Sequence, residues 1–331
     1  MPAIMTHDFF GRDVYDELYN LIGGSRDECD AFLLGNQGPD PLFYSVISPR
    51  LAKFNNLGST IHNEKPSEVL CALKHSLSIL DETERPVGRA YALGFVCHYT
   101  LDSSMHPLVF FNEYQVCDAG VEGLSRENGN EVHGVIESEL DEMVLFNKRE
   151  ETIATYVPAE NILRASDSLL QTISKMYAYI ATTVYGLFIP TSMFATAVKD
   201  FRVGQSAFYS PSGKKRSLIS NLEERFRQYS FFRSMSHRAI ELKESMFANH
   251  EHAQWENPFT GEYRTDSFWD IYHNALEAAK NNISTFLEPD FDLEAATQLT
   301  GNLDFSGEPT VATLVVEEET VDPFASSSTD Q

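Results

Sequence analysis

The sequence contains the segment GFVCHYTLDSSMHP, in which His98, Asp102 and His106 follow one another at intervals of four residues. Residues four apart lie on one face of an α-helix, stacked one turn above another. Two imidazoles and a carboxylate on one helix face need a polar partner, and a divalent metal ion is a suitable one. The spacing predicts a helix that presents a metal-binding face and stops at Pro107.

A second pair of candidate ligands follows about one helix later. His133 and Glu137, in HGVIE, are again four residues apart. Either set alone is compatible with an ordinary ion pair or a hydrogen-bonded polar face, but five potential ligands on two helices favour a metal site. Imidazole nitrogen and carboxylate oxygen suit Zn²⁺, and Asp102 can use both of its oxygens to bridge two ions.

The first third of the chain offers three more candidates. His7 lies at the start of the first predicted helix, Asp40 in the Gly- and Pro-rich loop GNQGPDP, and His62 in STIHNE. Alone, each is compatible with a surface histidine or an ordinary turn aspartate. Together with the two helical motifs they supply enough ligands for two or three zinc ions.

The order of these residues carries a resemblance. His7, Asp40 in GPD, His62 and then the HxxxDxxxH and HxxxE motifs resemble the zinc-dependent phospholipase C family, whose all-helical fold and trinuclear site are shared with the single-strand-specific zinc nucleases. The motifs cover residues 1–145, and WENPFTGEYRTDSF, residues 255–268, resembles a segment of bacterial members.

The resemblance implies a role for each candidate in a site of three zinc ions. Asp40 would also accept a proton from the water that attacks phosphorus. The chain's N-terminal amine would complete the third position, either on Met1 or, after removal of Met1, on Pro2. The implied ligands are Asp40, His62, His98 and Asp102 for the first ion; His106, His133 and Glu137 for the second; and His7 and Asp102 for the third.

Apolar residues recur at helical intervals along most of the chain, and strand-like alternation is absent, so the predicted class is all-α. We expect one helical domain over residues 1–287 and an acidic, disordered tail over 288–331, and the loop 203–216 is long enough to act as a lid. The later helices are predicted at 159–187, 191–202, 217–247 and 265–286.

Charge and composition limit the partners. The net charge is −24, and eleven acidic residues follow Lys280, the last basic residue, which leaves −13 for the remainder. Nucleic acid is therefore not an expected partner, and a zwitterionic phospholipid head group or a small phosphoester is. We expect no transmembrane segment and no signal peptide, and the four cysteines form no recognisable pairing pattern, so a cytoplasmic location is predicted.

The leading functional hypothesis is a zinc-dependent phosphoester hydrolase, a phosphodiesterase of the phospholipase C type. Three alternatives remain open at this point. A zinc nuclease would share the fold, an HD-type metallophosphohydrolase is suggested by the dipeptide His7-Asp8, and a non-catalytic helical binding protein would use zinc only for stability. The carboxylate-rich, cysteine-free ligand set favours catalysis over structural zinc.

Overall fold

The computed structural model describes residues 3–224 and 229–310, and in these ranges the chain consists of α-helices joined by turns. A single antiparallel ribbon of two short strands accompanies the helices. The prediction of an all-α class is confirmed. The elements are α1 (Ile4–Ile22), α2 (Arg26–Gly35), a 3₁₀ helix (Asp40–Ile47), α3 (Leu57–Asn63), α4 (Pro66–Ser76), α5 (Arg85–Cys117), α6 (Gly129–Arg149), α7 (Pro158–Asn161), α8 (Asp167–Tyr185), α9 (Met193–Phe208), α10 (Lys214–Glu223), α11 (Phe231–Ser234), β1 (Trp255–Glu256), β2 (Tyr263–Arg264), α12 (Phe268–Leu287) and α13 (Leu293–Thr300), with shorter 3₁₀ turns at Ala52–Phe54, Leu77–Ile79 and Arg126–Asn128.

Helix α5 crosses the middle of the fold and buries residues on all of its sides. A helix that is apolar all round is stable only when other helices surround it. Helices α2 and α12 pack most extensively against α5, and α1, α6 and α8 complete its surroundings. The polar face predicted on α5 therefore lies inside the molecule. In the described ranges, no helix combines the length and the apolar character needed to cross a membrane.

Helix α5 does not stop at Pro107, as the sequence predicted, but continues to Cys117. Proline lacks an N–H and crowds the carbonyl four residues earlier, which here belongs to Ser103. That carbonyl faces Gly307, where a Cβ atom would lie only 2.6 Å from the Ser103 oxygen. Tertiary packing on both sides of the proline outweighs its local preference, so one helix carries the whole polar face.

The segment 217–247, predicted as one helix, is divided in the structure. Helix α10 ends at Glu223, whose carboxylate accepts hydrogen bonds from the Ser230 hydroxyl (2.5 Å) and the Phe232 main-chain N–H (2.9 Å). Ser230 also caps the short helix α11 through the Arg233 N–H. The prediction of one continuous helix was wrong because the side chains of Glu223 and Ser230 hydrogen-bond to main-chain N–H groups further along the chain, which begins a new short helix instead of continuing α10.

The other late helices are present with shifted ends. Helix α8 replaces the predicted 159–187 and begins only after the cap residue Ser166. Helix α9 runs on to Phe208, so the expected lid loop 203–216 shrinks to the short turn before α10. Helix α12 matches the predicted 265–286 closely.

The tail expected from residue 288 is folded in its first part. Phe291 is buried, α13 packs on α4, and the ring of Phe305 lies in the core. Three apolar anchors within an acidic segment are enough to hold it against the domain. The expectation of disorder was therefore wrong for residues 288–310, whereas residues 311–331 lie outside the described ranges.

Helices α2 and α5 touch through their main chains at Gly35 and Gly94. A Cβ atom at Gly94 would lie 2.0 Å from the Phe32 carbonyl oxygen and 2.9 Å from the Gly35 Cα. Only glycine permits this approach. The crossing brings the carbonyl of Asn36, just after α2, to within 3.1 Å of His98 Nδ1 on the next turn of α5.

We expect Gly94→Ala to lower the free energy of unfolding by about 1–3 kcal/mol, because neither main chain can move away from the new methyl group. Urea unfolding followed by circular dichroism measures this change. Gly24→Ala is the control, since Gly24 is exposed and its nearest neighbour, Tyr19, would be 4.0 Å from the Cβ. Equal effects of the two substitutions would contradict the proposed contact.

Candidate metal centre

The polar face of α5 forms the centre of the site. His98, Asp102 and His106 are all buried and lie on one face of the helix. His98 Nε2 lies 3.2 Å from Asp102 Oδ2, and His106 Nδ1 lies 3.9 Å from Asp102 Oδ1. Asp102 therefore uses one oxygen toward each neighbouring histidine.

Three residues from the first third of the chain meet this face. His7 comes from α1, Asp40 from the start of the 3₁₀ helix and His62 from α3. His7 Nε2 lies 3.0 Å from Asp102 Oδ1. Asp40 Oδ1 lies 3.0 Å from His62 Nε2 and 3.8 Å from His98 Nε2.

The pair on α6 extends the cluster. Glu137 Oε1 lies 3.4 Å from His133 Nε2 and 3.5 Å from His106 Nε2. The structure thus brings together all eight residues singled out in the sequence, here called the eight-residue cluster. Three groups within it have ligand atoms within 4.8 Å of one another: His7, Asp40 and His98; His62, His98 and Asp102; and His106, His133 and Glu137.

Main-chain carbonyls orient three of the histidines. His62 Nδ1 lies 2.7 Å from the Gly58 oxygen, and His106 Nδ1 lies 2.7 Å from the Phe305 oxygen; His98 makes the corresponding contact through the α2–α5 crossing. A carbonyl oxygen can only accept, so each Nδ1 carries a proton and Nε2 is the nitrogen that can offer a lone pair to a metal ion. Histidine ligands of metal ions are oriented in this way.

Glu113 was not among the residues predicted from the sequence, and it accepts a hydrogen bond from His133 Nδ1 at 3.0 Å. Glu113 lies seven residues after His106, on the same face of α5. This periodicity would have identified it had the helix not been ended at Pro107. With Glu113 on Nδ1, His133 also directs Nε2 toward Glu137.

Asp141 continues the α6 face but binds a helix end. Its carboxylate accepts hydrogen bonds from the main-chain N–H groups of Met5 (3.0 Å) and Thr6 (2.7 Å) and lies 3.1 Å from His237 Nε2. Helix α1 has no side-chain cap of its own and no acidic residue in its first turn. Asp141 supplies that missing anion and fixes the turn that carries His7.

The HD dipeptide does not act as a unit. Asp8 binds Arg12 within α1, with 2.7 Å between the carboxylate oxygen and Nε, whereas His7 faces Asp102. The HD-type alternative needs both side chains at one metal site. The arrangement of Asp8 does not favour it.

The cluster contains buried negative charge. Burial lowers the pKa of His98 to about 4. Burial favours the protonated form of Asp102, but His98 and His106 outweigh it and hold the pKa of Asp102 well below its usual range. Burial also opposes the charged form of His106, yet Asp102 and Glu137 raise its pKa to about 10. Buried carboxylates of this kind need cations close by.

Some buried polar atoms of the cluster lack a hydrogen-bond partner among the described residues. They belong to four of its eight members, and each such atom costs about 1–3 kcal/mol if nothing pairs with it. A cation held by nitrogen and oxygen ligands would pair with them, so the residues present fit a metal site. The atoms are His7 Nδ1, His98 Nε2, Asp102 Oδ2 and Glu137 Oε2.

A cavity of about 720 Å³ opens onto one side of the cluster. Its floor includes members of the cluster from α3, α5 and α6, so a ligand in the cavity can reach them. Most of its wall is aromatic or aliphatic. The floor residues are His62, His106, His133 and Glu137, and the apolar wall includes Phe43, Tyr44, Val46, Ile47, Phe110, Phe208, Phe231 and Met235.

Comparison with protein families gives one result. Residues 6–187, more than half of the chain, match the model of the zinc dependent phospholipase C family, and this range contains every member of the eight-residue cluster. Comparisons with curated proteins and with solved structures found no match. With its buried histidines and carboxylates arranged on α1, α3, α5 and α6, the chain belongs to the zinc-dependent phospholipase C family.

Proposed function

We propose that the chain hydrolyses phosphate esters with two or three zinc ions held by the eight-residue cluster. The observation that carries this proposal is the convergence of three ligand groups around Asp102, with buried ligand atoms still unpaired. An ordinary polar core pairs such atoms internally. Membership of a zinc-dependent hydrolase family supports the identity of the ion.

The distances support the ligand sets expected from the family. The first ion would bind to Asp40, His62, His98 and Asp102, and the third to His7 and Asp102. The contacts of Asp40 and Asp102 with these histidines favour such sharing. The N-terminal amine expected on Met1 or Pro2 lies outside the described residues. The second ion would bind to His106, His133 and Glu137, whose ligand atoms already form one group.

Zinc, when bound, acidifies water and neutralises charge on phosphoryl oxygens. The chain itself provides an ionised carboxylate and a cavity with a mostly apolar wall. Asp40 is buried, and although burial raises its pKa, the hydrogen bond from His62 and the nearby His98 hold it below its usual range. It is therefore ionised and can accept a proton beside the other ligand atoms of the cluster.

The lining of the cavity is an argument for an amphiphilic substrate. Its apolar wall suits the carbon chains next to a phosphate, whereas Glu113 and Glu127 suit a cationic head group such as that of a zwitterionic phospholipid. Arg126, the arginine in the wall, already pairs with Asp118 at 2.6 Å. The lining favours a phospholipid over a polynucleotide, whose phosphates need several free basic groups.

Four unpaired cysteines support the predicted cytoplasmic location.

We expect Asp102→Asn to remove at least one zinc ion per chain and to lower hydrolysis of a chromogenic phosphocholine ester at least about 100-fold. Asp102 lies within 4.0 Å of four histidines of the cluster, and even outer-shell partners of metal ligands typically contribute about 10–100-fold. Metal analysis and initial rates test this. Asp167→Asn, an exposed carboxylate paired with Lys199, is the control. Unchanged zinc content in Asp102→Asn would refute the ligand assignment.

A second prediction concerns the substrate. Phe231 lines the cavity and is 44% exposed, whereas Phe188 is 85% exposed and lies elsewhere on the surface. Phe231→Ser should reduce hydrolysis of a long-chain phosphatidylcholine about tenfold, which corresponds to about 1.4 kcal/mol of lost apolar contact. It should leave a soluble chromogenic ester unaffected. Phe188→Ser should change neither rate, and equal loss on both substrates in Phe231→Ser would argue against a lipid.

A further inference from the structure

A turn outside the matched family region lies against the eight-residue cluster. We define the Phe305 turn as residues 301–310, which follow α13. The Asp304 carboxylate accepts hydrogen bonds from the main-chain N–H groups of Ser306 (2.8 Å) and Glu308 (3.0 Å). Leu303 and Pro309 form a bridge across it. The conformation of the turn is therefore stabilised by its own hydrogen bonds as well as by its packing on the domain.

Phe305 contacts three histidines of the cluster. Its carbonyl accepts the hydrogen bond from His106 Nδ1 at 2.7 Å, and its N–H donates to the His62 carbonyl at 3.1 Å. Its ring centroid lies 4.9 Å from that of His62 and 5.8 Å from that of His98. One buried residue thus covers one side of the cluster and fixes one of its imidazoles.

The contact with Phe305 keeps a proton on His106 Nδ1. His106 lies between two carboxylates, with Nδ1 3.9 Å from Asp102 and Nε2 3.5 Å from Glu137. The Phe305 carbonyl is closer than both and accepts the Nδ1 proton at 2.7 Å. Nε2, on the Glu137 side, is therefore the nitrogen that can offer a lone pair to a metal ion.

Gly307 allows the turn to approach helix α5 closely. It has a left-handed φ of +74°, and a Cβ atom there would lie 2.6 Å from Ser103 O and 2.9 Å from Pro107 Cγ. Since Pro107 has no N–H to offer the Ser103 carbonyl, the turn comes close to α5 at the one point where the helix lacks a hydrogen bond.

We propose that the Phe305 turn is a working part of the metal centre, with Phe305 as a positioning residue that acts through His106. It holds the Nδ1 proton of His106 and so turns Nε2 toward the position of the second ion. The identity of that ion rests on the proposed function, but the orientation of His106 does not. The part of the chain that assembles the site therefore extends well beyond residue 187, where the family match ends.

The test compares two glycines of the same turn in the full-length chain. Gly301 (φ +59°) and Gly307 (φ +74°) are both left-handed, so Ala strains both main chains alike, but nothing lies within 4 Å of a Cβ at Gly301. We expect Gly307→Ala to weaken the binding of one zinc ion, the one at His106, by about 10–100-fold in a competition titration with a chromogenic chelator. Gly301→Ala should keep the affinity of the unmodified chain.

The second readout needs no metal. In the metal-free protein labelled with ¹⁵N-histidine, the His106 signals, assigned with His106→Gln, should indicate protonation at Nδ1. Gly307→Ala should weaken the hydrogen bond from Nδ1–H to the Phe305 carbonyl and shift the Nδ1 signal, and Gly301→Ala should not. Unchanged His106 signals and zinc affinity in Gly307→Ala would overturn the proposal. Failure of the unmodified chain to bind zinc would instead refute the proposed function, and the NMR comparison would still decide the role of the turn.

A milder pair of variants covers the case in which Gly307→Ala does not fold. Asp304→Ala removes two hydrogen bonds within the turn and introduces no collision. Asp292→Ala, which removes the cap of α13 at Ala295 N–H, is its control because Asp292 does not contact the cluster. Zinc affinity and His106 signals should change in Asp304→Ala alone. Equal changes in both variants would mean that the turn acts only through general stability.

Discussion

A carboxylate buried in the middle of an apolar helix is the constraint on which the structure depends. Asp102 lies on α5 with almost no exposed surface, and an ion in such a place is tolerated only if polar groups surround it. Helix α5 alone cannot supply them all. His7 from α1 and His62 from α3 reach the same carboxylate, with Nε2 atoms 3.0 Å and 4.0 Å from its oxygens. The glycine crossing of α2 and α5 serves the same purpose, because it brings a main-chain carbonyl close enough to orient His98.

Periodicity made part of this site visible in the sequence. His98, Asp102 and His106, like His133 and Glu137, are spaced by one helical turn, and that spacing alone predicts a shared face. His7, Asp40 and His62 have no such pattern, and only their order relative to a known family indicated their role. The prediction ended the long central helix too early, at Pro107. Sequence rules describe what a proline does locally, and they do not include the stabilisation that surrounding helices provide. Glu113 lies in the part of the helix that was not predicted, so it was overlooked, although it is on the same face as His106.

The remaining contributions have no sequence signal at all. The groups that orient His62, His98 and His106 are carbonyl oxygens of Gly58, Asn36 and Phe305, and every residue carries a carbonyl. Their effect depends on where the main chain passes, which is known only once the fold is known. The same holds for Asp141, which lies in an acidic stretch of the sequence and whose partner is the start of a helix 135 residues earlier. The outer layer of this site was therefore the least predictable part of it.

The separation of 199 residues between His106 and Phe305 has a consequence for how the protein is made. A chain growing from the ribosome holds six of the eight cluster residues once α5 has emerged, yet the carbonyl that fixes His106 is synthesised only after α13. The cost of closing so long a loop rises slowly with its length, but it must be met before the contact contributes any stability. A nascent chain would therefore pass through a period in which most of the cluster residues are present but His106 is not yet oriented by the Phe305 carbonyl. The orientation of His106 is therefore settled only when residue 305 has left the ribosome and packed against α5.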